Sequence, residues 1–500
     1  MADRDGVAPS LFRNPVSLLG GIIIVISLAN IVFLFLVDAI SGVANPYLGM
    51  ITYMVLPGVL IGGIVILLFG AWRESHRRRT SAAGEMPAYP RIDLNIPSHR
   101  NAVLAIGSFA LVFVTLSAVG SYRAYEFTDS VQFCGQLCHS VMNPEFTAYL
   151  KSPHARVACV DCHVGPGAGW YVKSKLSGAY QVYATTLNKY PKPIPTPVAN
   201  LRPAQQTCEQ CHWPEKFYGA QLKTINHYKY DEQNTLEQIR LLIKTGGGSP
   251  TTGATTGIHW HMNIANKVTY VSSDKQRQVI PWVRIEDRDG NVTEYTAKDA
   301  NLKPQDLAKL PSRRMDCVDC HSRPSHIYVP PDRAVDELIA AGKVDPSLPF
   351  LKQNAVTVLS KEYPDTVKAK DTIAAELIST YRTKYPETFN QNQAQIKQAV
   401  AEVQRVYETN YFPEMKIDWK THPNNIGHFY YPGCFRCHDG QHVSKDGKVI
   451  SRDCNVCHTI LDQSEGKVQQ AMAGGVFKHP GGEMDFSSTN CNDCHTGGPQ

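Results

Sequence analysis

No cysteine in this 500-residue sequence stands alone. All 14 fall into seven closely spaced pairs, so their chemistry has to be read pair by pair. Long runs of lysine or arginine are missing too. The 50 basic and 45 acidic residues leave a formal charge of only +5, too slight and too scattered for a nucleic-acid footprint. Three stretches lack charge altogether: Pro15–Val37, Ala39–Trp72 and Asn101–Tyr122. At about 1.5 Å per residue, roughly 20 residues cross a hydrocarbon layer of about 30 Å, so each stretch can span a membrane. Lengths of this kind argue against buried helices of a soluble core.

A histidine comes directly after every cysteine pair: Cys134/Cys138-His139, Cys159/Cys162-His163, Cys208/Cys211-His212, Cys317/Cys320-His321, Cys434/Cys437-His438, Cys454/Cys457-His458 and Cys491/Cys494-His495. Six read Cys-x-x-Cys-His, and the first carries one extra residue. This is the pattern of c-type haem attachment, with two thioethers to the haem and an adjacent imidazole as the proximal iron ligand. Disulfides would not require histidine after each second cysteine, and zinc sites would need further ligands from paired motifs. The sequence therefore predicts seven covalently bound c-type haems. The first 122 residues hold 8 basic and 6 acidic residues, leaving 42 against 39 in the haem-bearing part. Two propionates per haem would make that part acidic, which suits docking to a basic partner protein.

Upstream of the motifs lies a membrane anchor, residues 1–122, with spans at about 15–38, 47–72 and 101–122. The loop 73–100 carries Arg73, Arg77, Arg78, Arg79, Arg91 and Arg100 against Glu74, Glu85 and Asp93, which makes it cytoplasmic and puts the haems on the outer side. Gly42-Val43-Ala44 fits a signal-peptidase site, but the preceding apolar run is longer than a signal peptide's and favours retention. Gly62-Gly63 and Pro57 point to close helix packing or a kink.

The remaining chain divides into 123–220 with haems 1–3, a β-containing segment 221–330 with haem 4, a helical spacer 331–415, and 416–500 with haems 5–7. Trp170, Tyr171, Lys173 and Lys175 open a basic-aromatic stretch that reads equally as an interfacial amphipathic helix or as a lining for a quinol pocket. Pro191–Pro197 reads as a semi-rigid linker. Val268–Val271, Val279–Ile285 and Asn291–Thr296 read as strands, with a hairpin turn at Asp289-Gly290. Ile396, Val400, Val403 and Tyr407, like Ile373, Leu377, Ile378 and Tyr381, form helix packing stripes. The last hundred residues read as loops around tightly spaced motifs.

Low-spin electron-transfer haems take a second axial ligand from elsewhere in the chain. If the first haem is an exception, six distal ligands are needed. His154, His259, His261, His326, His428 and His479 are the candidates, each near a motif or beside aromatic, glycine or proline residues. His259 and His261, two apart, would share one face of a strand. His326 is expected to serve a haem other than its own motif's. His227, His422 and His442 are held in reserve.

Three features resemble the NapC/NirT family of membrane-anchored multihaem cytochromes: an apolar anchor helix, the run FCGQLCHSVM, and SPHARVACVDCHV after it. Three apolar spans with seven motifs resemble the larger ImcH-type inner-membrane cytochromes across nearly the whole chain. The resemblance implies a membrane-anchored multihaem cytochrome c: three N-terminal transmembrane helices, then a mainly α, loop-rich haem domain with a small β-hairpin region. It also implies menaquinol as electron donor, oxidation at the first haem, and delivery to periplasmic c-type cytochromes in anaerobic or extracellular respiration. In the smaller members a methionine just after the first motif ligates that haem, which implies Met142. Here Met142 stands three residues after His139 in a lengthened motif, so His139 remains the alternative. Lys173 and Lys175 match the family's quinol-site lysine, although no carboxylate lies between them and Lys189. Two other functions fit less closely: a passive electron-transfer subunit of a larger complex, and a terminal reductase of a small species such as nitrite. A reductase is often marked by lysine in place of a motif histidine, and all seven motifs end in histidine.

Overall fold

The computed structural model describes residues 11–12, 14–41, 55–80, 93–137, 139–165, 168–198, 201–213, 217, 219–246, 257–262, 266–300, 309–471, 477–479, 482, 484–485 and 489–499. The chain divides into two compact units, residues 1–134 with 164–179, and residues 135–163 with 180–500.

The first unit is built on three long apolar helices, α1 (Pro15–Ser41), α2 (Leu56–Thr80) and α3 (Pro97–Asp129). Each contains a segment long and apolar enough to cross a membrane: Pro15–Phe35, Leu56–Arg77 and Pro97–Gly120. The beginning of the expected second span, the peptidase-like Gly42–Ala44 and residues 81–92 of the arginine loop lie outside the described residues. Pro57 falls in the first turn of α2, where a missing N–H costs nothing, so it makes no kink. Close packing between α1 and α2 runs through Gly20, Gly63 and Gly70 rather than Gly62. A Cβ on Gly20 would sit 2.5 Å from the Leu67 nitrogen, while one on Gly62 would meet nothing within 4 Å. Two cross-helix hydrogen bonds fasten the contact, Asn14 Nδ2 to the Gly70 carbonyl (3.1 Å) and Ser17 Oγ to the Leu67 carbonyl (3.0 Å).

The second unit holds a helical core and two antiparallel sheets. After α4 (His139–Leu150), α5 (Cys159–His163), α6 (Ala168–Thr186, shared with the first unit) and α7 (Ala204–Cys208) come β1 (Gln221–Tyr228) and β2 (Leu236–Ile243). A 3-10 turn at Ile258–Met262 leads into β3 (Lys267–Val271), β4 (Trp282–Glu286), β5 (Val292–Ala297) and β6 (Ser312–Arg314). The expected hairpin is there, with Gly290 at φ +80° and Asp287 accepting from the Asn291 amide at 2.9 Å.

The Cys317–Cys320 turn (α8) is followed by α9 (Pro331–Ala340), α10 (Leu351–Leu359), α11 (Thr366–Lys384), α12 (Pro386–Gln391) and α13 (Gln393–Asn410). The two packing stripes behave as their spacing predicts. Ile373, Leu377, Tyr381, Ile396, Val400, Val403 and Tyr407 are all buried in one cluster, with Ile378 half-buried against it. Each full burial is worth about 1.5–3 kcal/mol.

This helical region does not separate the haem motifs as a spacer would. The last hundred residues supply β7 (His442–Ser444), β8 (His458–Glu465) and β9 (Val468–Ala471) before the Cys491–Cys494 turn (α14). β8 pairs with β2 in a sheet of order β1-β2-β8-β9, and β7 pairs with β5 in a sheet of order β6-β3-β4-β5-β7. Segments 221–330 and 416–500 are thus sewn together by backbone hydrogen bonds. The proline-rich run is also no free linker, since Tyr190 and Ile194 pack on the helical core.

Candidate haem sites

Six motifs form single tight turns, and the spacing explains why. Cysteines three apart on a helical turn face one side, and the next residue continues round from them. The closing bond runs from the histidine amide to the first cysteine carbonyl: His212 to Cys208 (2.8 Å), His321 to Cys317 (2.8 Å), His438 to Cys434 (3.0 Å) and His495 to Cys491 (2.8 Å). Aspartate in the second spacer position caps three of these turns. Asp161 accepts from the Ala158 amide, Asp319 from Asp316 and Asp493 from Asn490, at 3.1, 2.8 and 2.9 Å. Sequence reasoning missed these aspartates, although an acid at the third helical position is a capping signal.

Each of the six distal candidates lies opposite one motif histidine. His326 stands across from His163 (ring centroids 6.3 Å apart), His154 from His212 (6.1 Å) and His259 from His321 (6.4 Å). His261 faces His438 (5.8 Å), His428 faces His458 (6.2 Å) and His479 faces His495 (5.9 Å). Two metal–imidazole bonds of about 2.0 Å, plus roughly 1.1 Å from each nitrogen to its ring centre, require a separation of about 6.2 Å. The six spacings fit an iron held between two imidazoles.

The ring nitrogens agree. Nδ1 is turned to a backbone carbonyl in His326 (Glu145, 3.0 Å), His259 (Thr245, 2.8 Å), His261 (Ile258, 2.8 Å) and His438 (Ser451, 2.8 Å). A bond of this kind fixes the ring and leaves the Nε2 lone pair for metal. Burial also favours the neutral ring that ligation requires, pushing His261 down and bringing His326, His428 and His495 to about 4. His261, His438 and Cys437 line a cavity of about 210 Å³ together with Trp260, Val268, Val283, Ile285, Met315 and Ile450. An apolar cavity lined by a motif thiol and two imidazoles suits a haem.

His259 and His261 sit on a 3-10 turn, not a strand. At three residues per turn, side chains two apart diverge, and the two rings face different motif histidines. Of the reserves, His442 is buried with both nitrogens engaged, Nδ1 by Asp439 (2.9 Å) and Nε2 by the Ile280 carbonyl (2.8 Å). His227 Nδ1 faces Asp336 and Lys352, and His422 Nδ1 faces Thr196 Oγ1 at 3.0 Å. Among the described residues, none of the three has a motif histidine within its ring contacts.

Consecutive motifs are neighbours. Burial, and then the nearby Cys208 and Cys211 sulfurs, raise the Cys162 thiol, which sets the second motif beside the third. The Cys208 and Cys317 turns pack against each other, joining third to fourth. Burial and then Cys434 push Cys320 and Cys457 up to about 11, joining fourth to fifth and fifth to sixth. Cys491 Sγ lies 3.7 Å from His428 Nδ1, joining seventh to sixth. A buried carboxylate stiffens the middle of this series. Asp319 accepts from Tyr270 Oη (2.8 Å), Arg277 (2.9 Å) and Arg313 (2.9 Å). Its backbone carbonyl accepts from Arg436, inside the fifth motif, at 2.8 Å.

The first motif is different. Phe133–Leu137 forms a π-turn, the wider helical turn that accommodates an inserted residue. A Cβ on Gly135 would come within 2.3 Å of the Phe146 ring. Cys138 lies outside the described residues, as do the side chains of His139 and Lys175. Met142 is half-buried on α4, three residues after His139. Lys173 is exposed on α6 with Nζ 4.8 Å above the Trp170 ring. Farther along α6, Tyr180 and Tyr183 lie exposed, and Leu187 just past its end is exposed too.

Residues 96–193 match the family described as NapC/NirT cytochrome c family, N-terminal region. Over 483 residues the chain is 45% identical to "Cytochrome c-type protein ImcH" of Geobacter sulfurreducens, covering 96% of this chain and 95% of that protein. No solved structure matches.

Proposed function

The chain belongs to the ImcH family of c-type cytochromes, with a NapC/NirT region at its membrane end, and we propose that it oxidises menaquinol at the inner membrane and passes the electrons through seven haems to periplasmic c-type cytochromes. Membrane-bound electron transfer through covalent haem comes with the family. The quinol donor, the seven-haem count, the outer-side haem domain and the periplasmic acceptors are our reading.

One observation carries it. Six histidine pairs with iron-bridging spacing lie in six consecutive motifs, each motif beside the next. Such a row is a one-electron conductor, and the first motif of the chain continues directly from a membrane-spanning helix, α3. The haems supply reversible one-electron chemistry at potentials set by axial ligand, hydrogen bonding and burial. The protein would hold the irons through these supports: Asp161, Asp319 and Asp493 fix three attachment turns, and backbone carbonyls fix the His259, His261 and His326 rings. In this reading the axial pairs are His163/His326, His212/His154, His321/His259, His438/His261, His458/His428 and His495/His479, with Met142 or His139 on the first iron. Lys173, on a helix carrying Trp170, Tyr180 and Tyr183, orients the quinol headgroup at the membrane surface.

The test is anaerobic mixing of the purified full-length protein with a reduced menaquinone analogue. Haem reduction is expected, and Lys173→Ala should slow it about tenfold, the effect of losing roughly 1.4 kcal/mol of positioning, without altering the dithionite-reduced spectrum. A protein that dithionite reduces fully but no quinol reduces would sink the proposal.

A further inference from the structure

His326 is held from two sides by residues of opposite charge. Its Nδ1 faces the Glu145 carbonyl of α4 at 3.0 Å. Its own carbonyl accepts from Arg323 Nε at 2.8 Å. The two charged side chains then approach each other. Arg323 Nη2 lies 3.7 Å from Glu145 Oε1, beyond hydrogen-bond reach, and Tyr328 Oη donates to the same oxygen at 3.1 Å. The guanidinium carbon stands 5.1 Å from the centre of the Tyr328 ring. Only 9% of the Arg323 side chain and 13% of the Glu145 side chain reach solvent. Among the described residues, Glu145 Oε2 and Arg323 Nη2 find no hydrogen-bond partner. A pair this loose leaves neither charge fully quenched, and buried charges are screened much less than exposed ones.

Helix α4 makes the arrangement rigid. Val141 and Ala148 anchor it in the same buried cluster as Tyr328. Tyr149 Oη, one turn beyond Glu145, lies 2.8 Å from the Ala155 carbonyl and 2.9 Å from that of Val157, in the segment leading into the second motif. The helix that begins at His139 of the first motif thus supports His326 through Glu145 and the approach to His163 through Tyr149.

The backbone of residue 145 holds the His326 ring whatever its side chain, so the carboxylate is surplus to that task. Its charge and that of Arg323 have a different consequence. A buried carboxylate opposes an electron added at the iron that His326 would ligate, and a buried guanidinium favours it.

We infer that Glu145 and Arg323 are positioning residues for the second haem, acting through His326 to set its reduction potential by opposed charges. Removing the carboxylate raises that potential, removing the guanidinium lowers it, and removing both largely restores it. The second haem is where such a balance counts most, because it would take each electron from the first. The inference rests on the His163/His326 pairing proposed above.

The experiment is potentiometric titration of the intact protein at neutral pH, followed by optical and electron paramagnetic resonance spectra. His326→Met identifies the second haem as the component whose potential it raises. Glu145→Gln keeps the backbone carbonyl and an acceptor for Tyr328. It should move that component's reduction equilibrium about tenfold towards the ferrous state, roughly 59 mV for one electron. Arg323→Gln should move it about tenfold the other way. The double variant, which buries no unpaired charge, should lie near the unmodified protein, with haem content and the low-spin signal of the second haem preserved. Glu145→Gln with haem content intact and no upward shift, or a double variant displaced as far as a single one, would overturn the inference. No component shifted by His326→Met would instead overturn the ligand pairing beneath it.

Discussion

Replacing His442 and His261 by alanine, each in turn, separates a structural histidine from a ligand within one neighbourhood. His442 is 1% exposed and spans the second sheet, bonding Asp439 through Nδ1 and the Ile280 carbonyl through Nε2. Its removal strands a buried carbonyl and takes a charged partner from Asp439, which at about 1–3 kcal/mol per unsatisfied group sums to roughly 2–6 kcal/mol. Burial alone would lower the His442 value, but the hydrogen bond and charge of Asp439 win and hold it above the ordinary histidine range. A raised folded-state value means that the ionic part of the stabilisation is complete below about pH 6.5 and disappears as the pH rises through the folded value. The stability deficit of His442→Ala should therefore be larger at pH 5.5 than at pH 8.5, read as the shift in urea midpoint. Its haems should stay low-spin. His261→Ala should do the reverse: a small change in midpoint, and one haem converted to a high-spin signal because the slot opposite His438 has lost its imidazole. A high-spin haem in His442→Ala, or unchanged spin states in His261→Ala, would refute this account of the pocket.

Gly135→Ala drives a methyl into the Phe146 ring and should cost about 1–3 kcal/mol with reduced haem on the first motif, measured by haem-peptide mass spectrometry. Phe146→Leu in the same chain should restore it. Leu377→Ala empties a fully packed site and should lower stability by about 2–5 kcal/mol while all seven attachments persist, by haem count and urea titration. Asp319→Asn leaves Arg277 and Arg313 without their buried counter-charge and should cost about 3–5 kcal/mol, again by urea titration. Because Asp319 also ties the fourth motif to the fifth, that variant should perturb the spectra of those two haems before the others.

The sequence made the covalent chemistry plain because c-type attachment is local: five residues state both the bonds and one ligand. The helical core was legible for the same reason, since Ile373, Leu377 and Tyr381 repeat at helical spacing whatever surrounds them. Distal partners are not local. His154 and His212 are 58 residues apart in the chain, and His259 and His321 are 62 apart, so proximity in sequence could nominate the residues but not pair them. β8 reads as loop from its residues because His458–Glu465 alternates weakly and depends on β2, more than 200 residues upstream, for its hydrogen bonds. The same pairing undoes the idea of a spacer. The Asp439–His442 pair likewise needs the Ile280 carbonyl from a distant segment, which is why His442 looks in sequence like any other spare histidine.

The most direct measurement is a census of axial ligation in the oxidised full-length protein by electron paramagnetic resonance with near-infrared magnetic circular dichroism. Six haems with two imidazole ligands and a seventh of different ligation are predicted, with one of the six lost on each single substitution of His154, His259, His261, His326, His428 and His479. Fewer than six such haems in the unmodified protein, or substitutions at these positions that leave the six intact, would contradict the ligand pairing on which the electron path is built.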